Sequence, residues 1–383
     1  MKHSGLKVLM ISSDRKIFEQ NSAVTTRMLD YGEIFEDLRI IVFSLSSEDF
    51  IDFKLTDNVW VYPTNSSSKF FYVIDAIKIA RNILKEIFFG QTIISVQDPF
   101  ESGIAGVIIK KKTKLPLQVQ IHTDLFSCHF FDSSLLNWLR FHLSKYTLKR
   151  ANGIRVVSKK IENDLIHFAK IKPEKITVLP IYVDIRKITD DPVSVNLHIK
   201  YPQWKKIILV ASRLEKEKNV ALAIMALARA LPQIPEVGMV IVGSGREEES
   251  LKSKVKSLKL GNNVVFESWQ QNLISYYKTA DLFLNTSNFE GYGMALVEAA
   301  AAGCPILTTE VGIAGEFFKH GESALLCPVG DTLCLKNKLI TFFSNSSISK
   351  NLISGVREII TEFSYPKEEY LRKYRESFDN ILK

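Results

Sequence analysis

Two series of short apolar runs, each bounded by turn residues and separated by stretches of helix formers, constrain this chain to an alternating α/β architecture. The first series is Val8 to Ser12, Ile40 to Phe43, Val59 to Tyr62, Thr92 to Val96, Leu117 to Ile121 and Ile154 to Val157; the second is Ile207 to Ala211, Met239 to Val242, Val264 to Phe266, Leu282 to Asn285 and Ile306 to Thr308. Runs this apolar are buried on both faces, and their alternation with helices predicts parallel sheets wrapped by helices. A less regular stretch, Thr189 to Lys206, separates the series. With 383 residues the chain exceeds the roughly 100–200 residues of one domain, so two doubly wound, Rossmann-like domains are expected, 1–187 and 188–364, with a linker near Asp184 to Pro202. Hydrophobic residues make up 46% of the chain, enough for two cores.

No stretch approaches the roughly 18–20 consecutive apolar residues of a membrane span. The first residues lead straight into a strand rather than into a signal peptide, so a cytoplasmic or peripheral location is expected. Cys128, Cys304, Cys327 and Cys334 show neither a Cys-x-x-Cys pair nor metal-ligand spacing, and are expected to be reduced. The net charge of +8 and pI near 9.1 suit an anionic lipid, an acidic polysaccharide or a nucleic acid. No nucleic-acid module accompanies the charge, which sets that partner aside.

The chemistry concentrates between Asp281 and Pro305. A strand ending near Thr286 is followed by Ser287, Asn288 and Gly291, all turn residues. Gly291 and Gly293 let the backbone approach a ligand closely, and Met294 to Ala302 then reads as a helix stopped by Gly303 and Pro305. The free amides of its first turn, at Met294 and Ala295, form an anion site suited to phosphate. Glu290 precedes this helix and Glu298 lies inside it, so the two acids would meet different parts of one polyhydroxylated ligand. Arg213 and Lys218 follow the strand Ile207 to Ala211, where two cations invite a diphosphate; the interleaved Glu215, Lys216 and Glu217 equally suit an exposed charged loop.

Glu290 to Glu298 resembles the Glu-x7-Glu signature of glycosyltransferase family 4, retaining nucleotide-sugar glycosyltransferases of the GT-B fold. Ile208 to Asn219 resembles that family's strand, basic loop and helix start; Val240 to Gly245 its next strand and glycine turn; Val264 to Phe266 the strand beside the nucleotide base. The resemblance implies two Rossmann-like domains facing a central cleft, the first binding acceptor and the second binding donor. It also implies a terminal helix over 365–383 packing back on the first domain. The activity implied is metal-independent, retaining transfer of a sugar from a nucleoside diphosphate, UDP or GDP, to an acceptor hydroxyl in glycan, polysaccharide or glycolipid assembly. No cofactor and no metal are implied, and no Asp-x-Asp motif stands in a suitable strand-end context. Alternatives are a GT-B sugar-nucleotide epimerase or hydrolase, or a non-catalytic nucleotide-sugar scaffold.

By the same resemblance Glu290 holds the donor sugar, Glu298 the ribose, and Arg213 with Lys218 the leaving diphosphate. Gly243, Phe266, Gly291, Gly293, Met294, Ala295 and Gly312 line the donor, with Glu316 near it. His122, at the end of the run Leu117 to Ile121, sits where the family carries a histidine, able to donate to a sugar hydroxyl or balance charge at the reacting carbon. Asp124 would orient it or contact acceptor. The loop from Ser12 to Met28 lacks the glycine pair many relatives have, carrying Gln20-Asn21-Ser22; Asn21 or Ser22 would cap the next helix and meet the acceptor, and Asp14, Arg15, Lys16 and Arg27 suit an anionic acceptor or, equally, a solvated loop. Ile181-Tyr182 stand where relatives place Asn-Gly.

Asp124 to Arg150 mixes Phe126, Phe130, Phe131, Trp138 and Phe141 with Arg140, Lys145, Lys149 and Arg150. Such a segment suits either peripheral association with an anionic membrane or an ordinary amphipathic core element.

Overall fold

The computed structural model describes residues 5–382 apart from 21, 88, 89, 133, 271 and 364. The chain divides into two compact units, Met1–Pro180 with Pro366–Lys383 (unit 1) and Ile181–Tyr365 (unit 2).

Unit 1 is built on eight strands: β1 (Leu6–Ser12), β2 (Asp37–Val42), β3 (Phe53–Thr56), β4 (Val59–Pro63), β5 (Gln91–Val96), β6 (Leu117–Ile121), β7 (Gly153–Val156) and β8 (Ile176–Val178). They lie in the order β3-β4-β2-β1-β5-β6-β7-β8, and every pair is parallel except β3 with β4. The chain runs outward from β1 on one side, returns, and resumes at β5 on the other, so the order reverses between β1 and β5. β6 and β7 are buried throughout, as expected of central strands in a parallel sheet covered on both faces. Edge strands β3 and β8 were not expected from sequence. Phe53–Thr56 alternates polar residues at an edge, and Ile176–Val178 is three half-buried residues, so neither makes an apolar run.

The buried strands nevertheless carry Gln118, Gln120 and Arg155. Their partners come from the terminal helix Lys367–Leu382, which belongs to unit 1 as the resemblance implies. Gln118 Nε2 donates to the Ser377 carbonyl (3.1 Å), Gln120 Nε2 to the Tyr374 hydroxyl (2.8 Å), and Arg155 to the Tyr370 hydroxyl (3.1 Å). Arg155 also donates to Gln120 Oε1 (2.8 Å) and to the carbonyls of Leu179 and Pro180 (both 3.0 Å). Around these bonds Tyr31 stacks on Tyr374 at 4.1 Å and Phe35 meets Phe378 at 5.0 Å. Buried polar groups are tolerated where hydrogen bonds satisfy them, and here a helix remote in sequence does so.

Unit 2 holds β9 (Lys206–Ala211), β10 (Val237–Val242), β11 (Val264–Glu267), β12 (Leu282–Asn285), β13 (Ile306–Thr309) and β14 (Leu325–Cys327), ordered β11-β10-β9-β12-β13-β14 and all parallel. Here the order reverses between β9 and β12. One core cluster joins Ile208, Val210, Met239, Ile241 and Leu284 to Leu222, Ile224 and Leu227 of the helix Val220–Ala230.

The stretch expected as a linker is instead part of unit 2. It forms helices Ile185–Asp190 and Leu197–Lys200, capped by Asp184 and Asn196. Ser275 Oγ receives the Ser194 amide (2.8 Å) and Thr279 Oγ1 the Leu197 amide (3.2 Å). Its polar composition reflects these caps rather than freedom.

A second correction concerns the cysteines. Cys327 and Cys334 form a disulfide, while Cys128 and Cys304 are free. The turn between β14 and the helix Thr332–Ser344, closed by Asp331 accepting the Cys334 amide (2.9 Å), brings their Cα atoms to 5.8 Å. That approach falls within bonding geometry although the sequence spacing matches no familiar motif.

Candidate functional site

In an open α/β sheet a ligand sits beyond the carboxyl ends of the strands, where the strand order reverses. In unit 2 that places it at the loops leaving β9 and β12, and these are the loops the sequence singles out. They are tied together: the Asn288 amide donates to the Glu217 carbonyl (2.7 Å), Asn219 Nδ2 to Asn288 Oδ1 (3.0 Å), and Thr286 Oγ1 to the Asn219 carbonyl (2.9 Å). Asn219 takes a left-handed conformation (φ 45°), which a short polar side chain tolerates, and this turns the β9 loop into the helix Val220–Ala230.

Within this frame Lys218 Nζ lies 2.5 Å from Glu290 Oε1, both side chains mostly screened from solvent. The Ser287 hydroxyl is 2.8 Å from the same carboxylate oxygen, and Thr309 Oγ1 donates to the Ser287 carbonyl (2.7 Å). Glu290 is thus fixed by a cation and a hydroxyl before any ligand arrives. Arg213 is not brought to this pair: its guanidinium donates to Glu217 at 2.9 Å and stays exposed, following the charged-loop alternative.

Gly293 adopts φ 99° ahead of the helix Met294–Ala301, leaving the amides of Met294 and Ala295 in its first turn. Gly291 is buried in the preceding turn. Gly312 has φ 59°, and a Cβ there would fall 2.3 Å from the Tyr292 carbonyl oxygen and 3.0 Å from Glu290 Cβ. The neighbouring Ile313 amide donates to that carbonyl at 2.9 Å, so the loop after β13 braces the Glu290 turn. Gly243 plays a similar part at the β10 end, where a Cβ would meet the Ser212 carbonyl oxygen at 1.9 Å. Phe266 on β11 packs against the unit 2 core.

Glu298 is half-buried, and Tyr277 donates to its Oε2 at 3.3 Å. Burial raises its carboxyl above the ordinary range, and the Tyr277 bond opposes that shift. Tyr277, almost fully buried, escapes sequence reasoning because it lies in a separate helix, Ile274–Thr279, with no local signature. Ser287 was legible only as a turn residue.

In unit 1 the order reverses between β1 and β5, and the expected acceptor residues Ser22, Asp14, Arg15 and Arg27 of the β1 loop and the helix after it already have partners in the protein. Ser22 caps the helix Ala23–Gly32, accepting the Thr25 amide (3.1 Å) and donating to the Lys16 carbonyl (2.6 Å). Asn21 lies outside the described residues. Asp14 accepts the Lys16 amide (3.2 Å), Arg15 pairs with Glu48 (3.3 Å), and Arg27 stands 4.0 Å from Asp14. Asp14, Arg15, Lys16, Glu48 and the stacked rings of Phe18 and Phe50 line a cavity of about 470 Å³.

His122 follows β6 as expected and is half-buried. Burial, with the nearby charges of Arg155 and Arg27, pushes its pKa down to about 3, so it is a neutral imidazole at pH 7. That shift favours its role as a hydrogen-bonding group over that of balancing charge. Asp124 is buried and accepts the amides of Phe126 (3.3 Å) and Ser127 (3.1 Å) and the Lys160 ammonium (2.5 Å). That carboxylate braces its own loop rather than presenting itself to an acceptor. Among the described residues no group of three or more metal-ligating side chains occurs, and no helix is long and apolar enough to cross a membrane.

Two doubly wound units, with an acid, a lysine and a helix N-terminus gathered where the second sheet reverses, have the build of the GT-B fold. Residues 36–187 match the glycosyltransferase family 4 model, and residues 199–359 match that for glycosyl transferases group 1. The chain belongs to the GT-B glycosyltransferases of the family 4 type. It is 26% identical to N-acetyl-alpha-D-glucosaminyl L-malate synthase of Bacillus anthracis over 66% of this chain and 64% of that protein. It is also 26% identical to alpha-monoglucosyldiacylglycerol synthase of Streptococcus pneumoniae over 56% of this chain and 51% of that one. The chain therefore spans about half to two-thirds of the length of these curated relatives. Its fold is similar to that of Anabaena Alr3699/HepE, solved in complex with UDP (TM-score 0.76, 19% identity, covering 97% of this chain and 99% of that one).

Proposed function

We propose that this chain transfers a hexose from a UDP-hexose to a hydroxyl of a glycan or lipid-linked acceptor, with retention at the anomeric carbon and without a bound metal. The observation that carries this reading is the Lys218–Glu290 pair, held at 2.5 Å beside the first turn of the helix Met294–Ala301. Glu290 accepts from donor sugar hydroxyls, and Lys218, already placed, offers its ammonium to the phosphate that departs. The amides of Met294 and Ala295 add partial positive charge in the place of a metal ion. Arg213 joins only by leaving Glu217. Glu298, lifted by burial, takes a ribose hydroxyl.

In the reaction the bond between the anomeric carbon and the phosphate oxygen breaks while the acceptor oxygen bonds to that carbon on the same face. The departing phosphate takes the acceptor proton, so Glu290 is not a covalent nucleophile. Unit 1 is assigned the acceptor, with His122 as a neutral hydrogen-bonding group. UDP is favoured over GDP by the UDP complex of Alr3699/HepE, and a lipid acceptor by the glycolipid named for the pneumococcal relative. A cytoplasmic setting with peripheral attachment to anionic membrane belongs to the same reading.

The test measures thermal stabilisation by UDP, GDP and ADP sugars in the presence of EDTA, then sugar transfer to glycan and glycolipid acceptors with the product anomer read by NMR. A UDP-selective shift and an α-product from an α-donor are expected. Donor binding without release of UDP under any acceptor identifies a scaffold, and product without acceptor identifies an epimerase or hydrolase.

A further inference from the structure

The helix Leu135–Leu148 packs one face against unit 1 and turns an apolar one outward. Its inward side, with buried Ser144, Thr147 and Leu148, meets the helix Glu101–Thr113: Thr147 lies close enough to Gly103 that a Cβ there would clash at 2.7 Å, and Arg140 pairs with Glu101 at 3.0 Å. The outward side presents Leu135, Leu136, Trp138, Leu139, Leu143 and Tyr146, all exposed, with Leu135 at 76% and Trp138 at 48%. Leu135, Leu139, Leu143 and Tyr146 recur at helical spacing and form one stripe. A contiguous apolar face of this kind marks an interaction surface rather than scattered exposure.

The charges beside the stripe identify the partner. From residue 133 to 150 the chain carries Arg140, Lys145, Lys149 and Arg150 and no carboxylate, the nearest being Asp132 ahead of the helix. Lys145 lies over the Phe141 ring at 4.1 Å and Arg150 over the Tyr146 ring at 3.6 Å, so their charges sit at the carboxyl end of the helix. There Lys110 donates to the Arg150 carbonyl (2.7 Å), which brings the end of its helix, with exposed Lys111 and Lys112, to the same place. Apolar side chains on one face with cations at its border is the pattern of a helix lying in a membrane interface. A second copy of the chain would meet the same surface with the same charges, and from Leu135 to Arg150 it offers no acid to receive them.

We propose that this face docks unit 1 onto an anionic lipid bilayer, with Trp138 and the leucines entering the interface and Lys149, Arg150, Lys111 and Lys112 meeting lipid phosphates. The proposal deepens the reading of a lipid-linked acceptor and rests on it for purpose, but its test needs neither donor nor turnover. The full chain is sedimented with phosphatidylcholine vesicles, with and without phosphatidylglycerol, at low and high salt. Binding to the anionic vesicles alone, weakened by salt, is expected. Lys149→Ala with Arg150→Ala should weaken it roughly thirtyfold, and Trp138→Ser with Leu139→Asp should abolish it, both variants keeping the wild-type unfolding midpoint and donor-induced stabilisation. Absence of wild-type binding, or binding indifferent to both variants, overturns the proposal. So does a concentration-dependent dimer, seen without lipid by sedimentation and dissolved by Leu139→Asp. Vesicle binding that holds while transfer fails would leave this surface standing and remove only the enzymatic reading.

Discussion

In unit 1 the loop leaving the first strand uses most of its polar groups on itself and ties to its neighbour through an exposed pair, whereas in unit 2 the loop leaving the first strand reaches its neighbour through a screened one. Both loops occupy the same topological place, beside the reversal of strand order. After β1, Ser22 caps its own helix and Asp14 closes its own turn, while Arg15 reaches Glu48 of the loop after β2 in a largely solvent-facing pair. After β9, Lys218 crosses to Glu290, and Asn219 and Glu217 bond the β12 loop. Equal topology therefore yields unequal chemistry, because what matters is which charged groups the loops bring together out of solvent. Cross-linked loops fix a lysine and a carboxylate at a set separation, which is what electrostatic stabilisation of a departing diphosphate requires.

Removing the cross-link should break this contrast most sharply. Lys218→Ala and Glu290→Ala are each expected to lower the rate of sugar transfer by about 10²–10³-fold, read as kcat with UDP-sugar. Ser22→Ala at the corresponding place in unit 1 should lower stability by about 1 kcal/mol and leave donor affinity unchanged; an equal loss of donor affinity in both units would dissolve the distinction. Next in size, Gly312→Ala forces a side chain into φ 59° and against the Tyr292 carbonyl. Denaturant unfolding should show a loss of about 2 kcal/mol, accompanied by weaker donor binding, since the displaced turn carries Glu290.

A smaller effect separates the two acids of unit 2. Glu290 has a cation, whereas Glu298 has a tyrosine hydroxyl and a raised pKa. An acid whose folded pKa is raised disfavours folding once both states ionise, and the penalty disappears below the ordinary carboxylate range. Glu298→Gln should therefore raise the thermal midpoint at pH 7, lose that advantage in acid, and still weaken UDP-sugar binding. A lowered midpoint at pH 7 would show that the carboxylate contributes to the fold. The smallest effect belongs to His122. With a folded pKa near 3 against an ordinary 6.5, its contribution to stability is complete above 6.5 and is lost as pH falls from there toward 3. NMR should find its ring resonances unmoved between pH 8 and 5, and His122→Gln should flatten the acid limb of the stability profile.

Much of this was legible in the chain. The mostly apolar runs located every central strand to within a residue or three, since a strand buried on both faces tolerates few polar residues and only with partners, as at Gln118, Gln120 and Arg155. The Glu290 turn and its helix were readable because glycine, proline and helix formers mark local conformation. Edge strands β3, β8 and β14 were not, being three or four residues long, and the Asp184 to Pro202 stretch looked like a linker because capping residues and linker residues are the same types. The Cys327–Cys334 bond was hidden for a related reason: seven residues of separation say nothing until a turn closes them.

By itself, then, the sequence determined where strands and helices lie, that they form two parallel sheets, and which acids and cations flank the strand ends, because those properties depend on local conformation and on hydrophobic pattern. Only the tertiary structure decided which of those charged groups meet. Lys218 and Glu290 are 72 residues apart and paired, Arg213 is near Lys218 in sequence yet turned away to Glu217, and Gln118, Gln120 and Arg155 find their partners more than 200 residues later in the terminal helix. A hydrogen bond or ion pair is made at about 3 Å, and that distance is set by how whole elements pack, not by any run of residues.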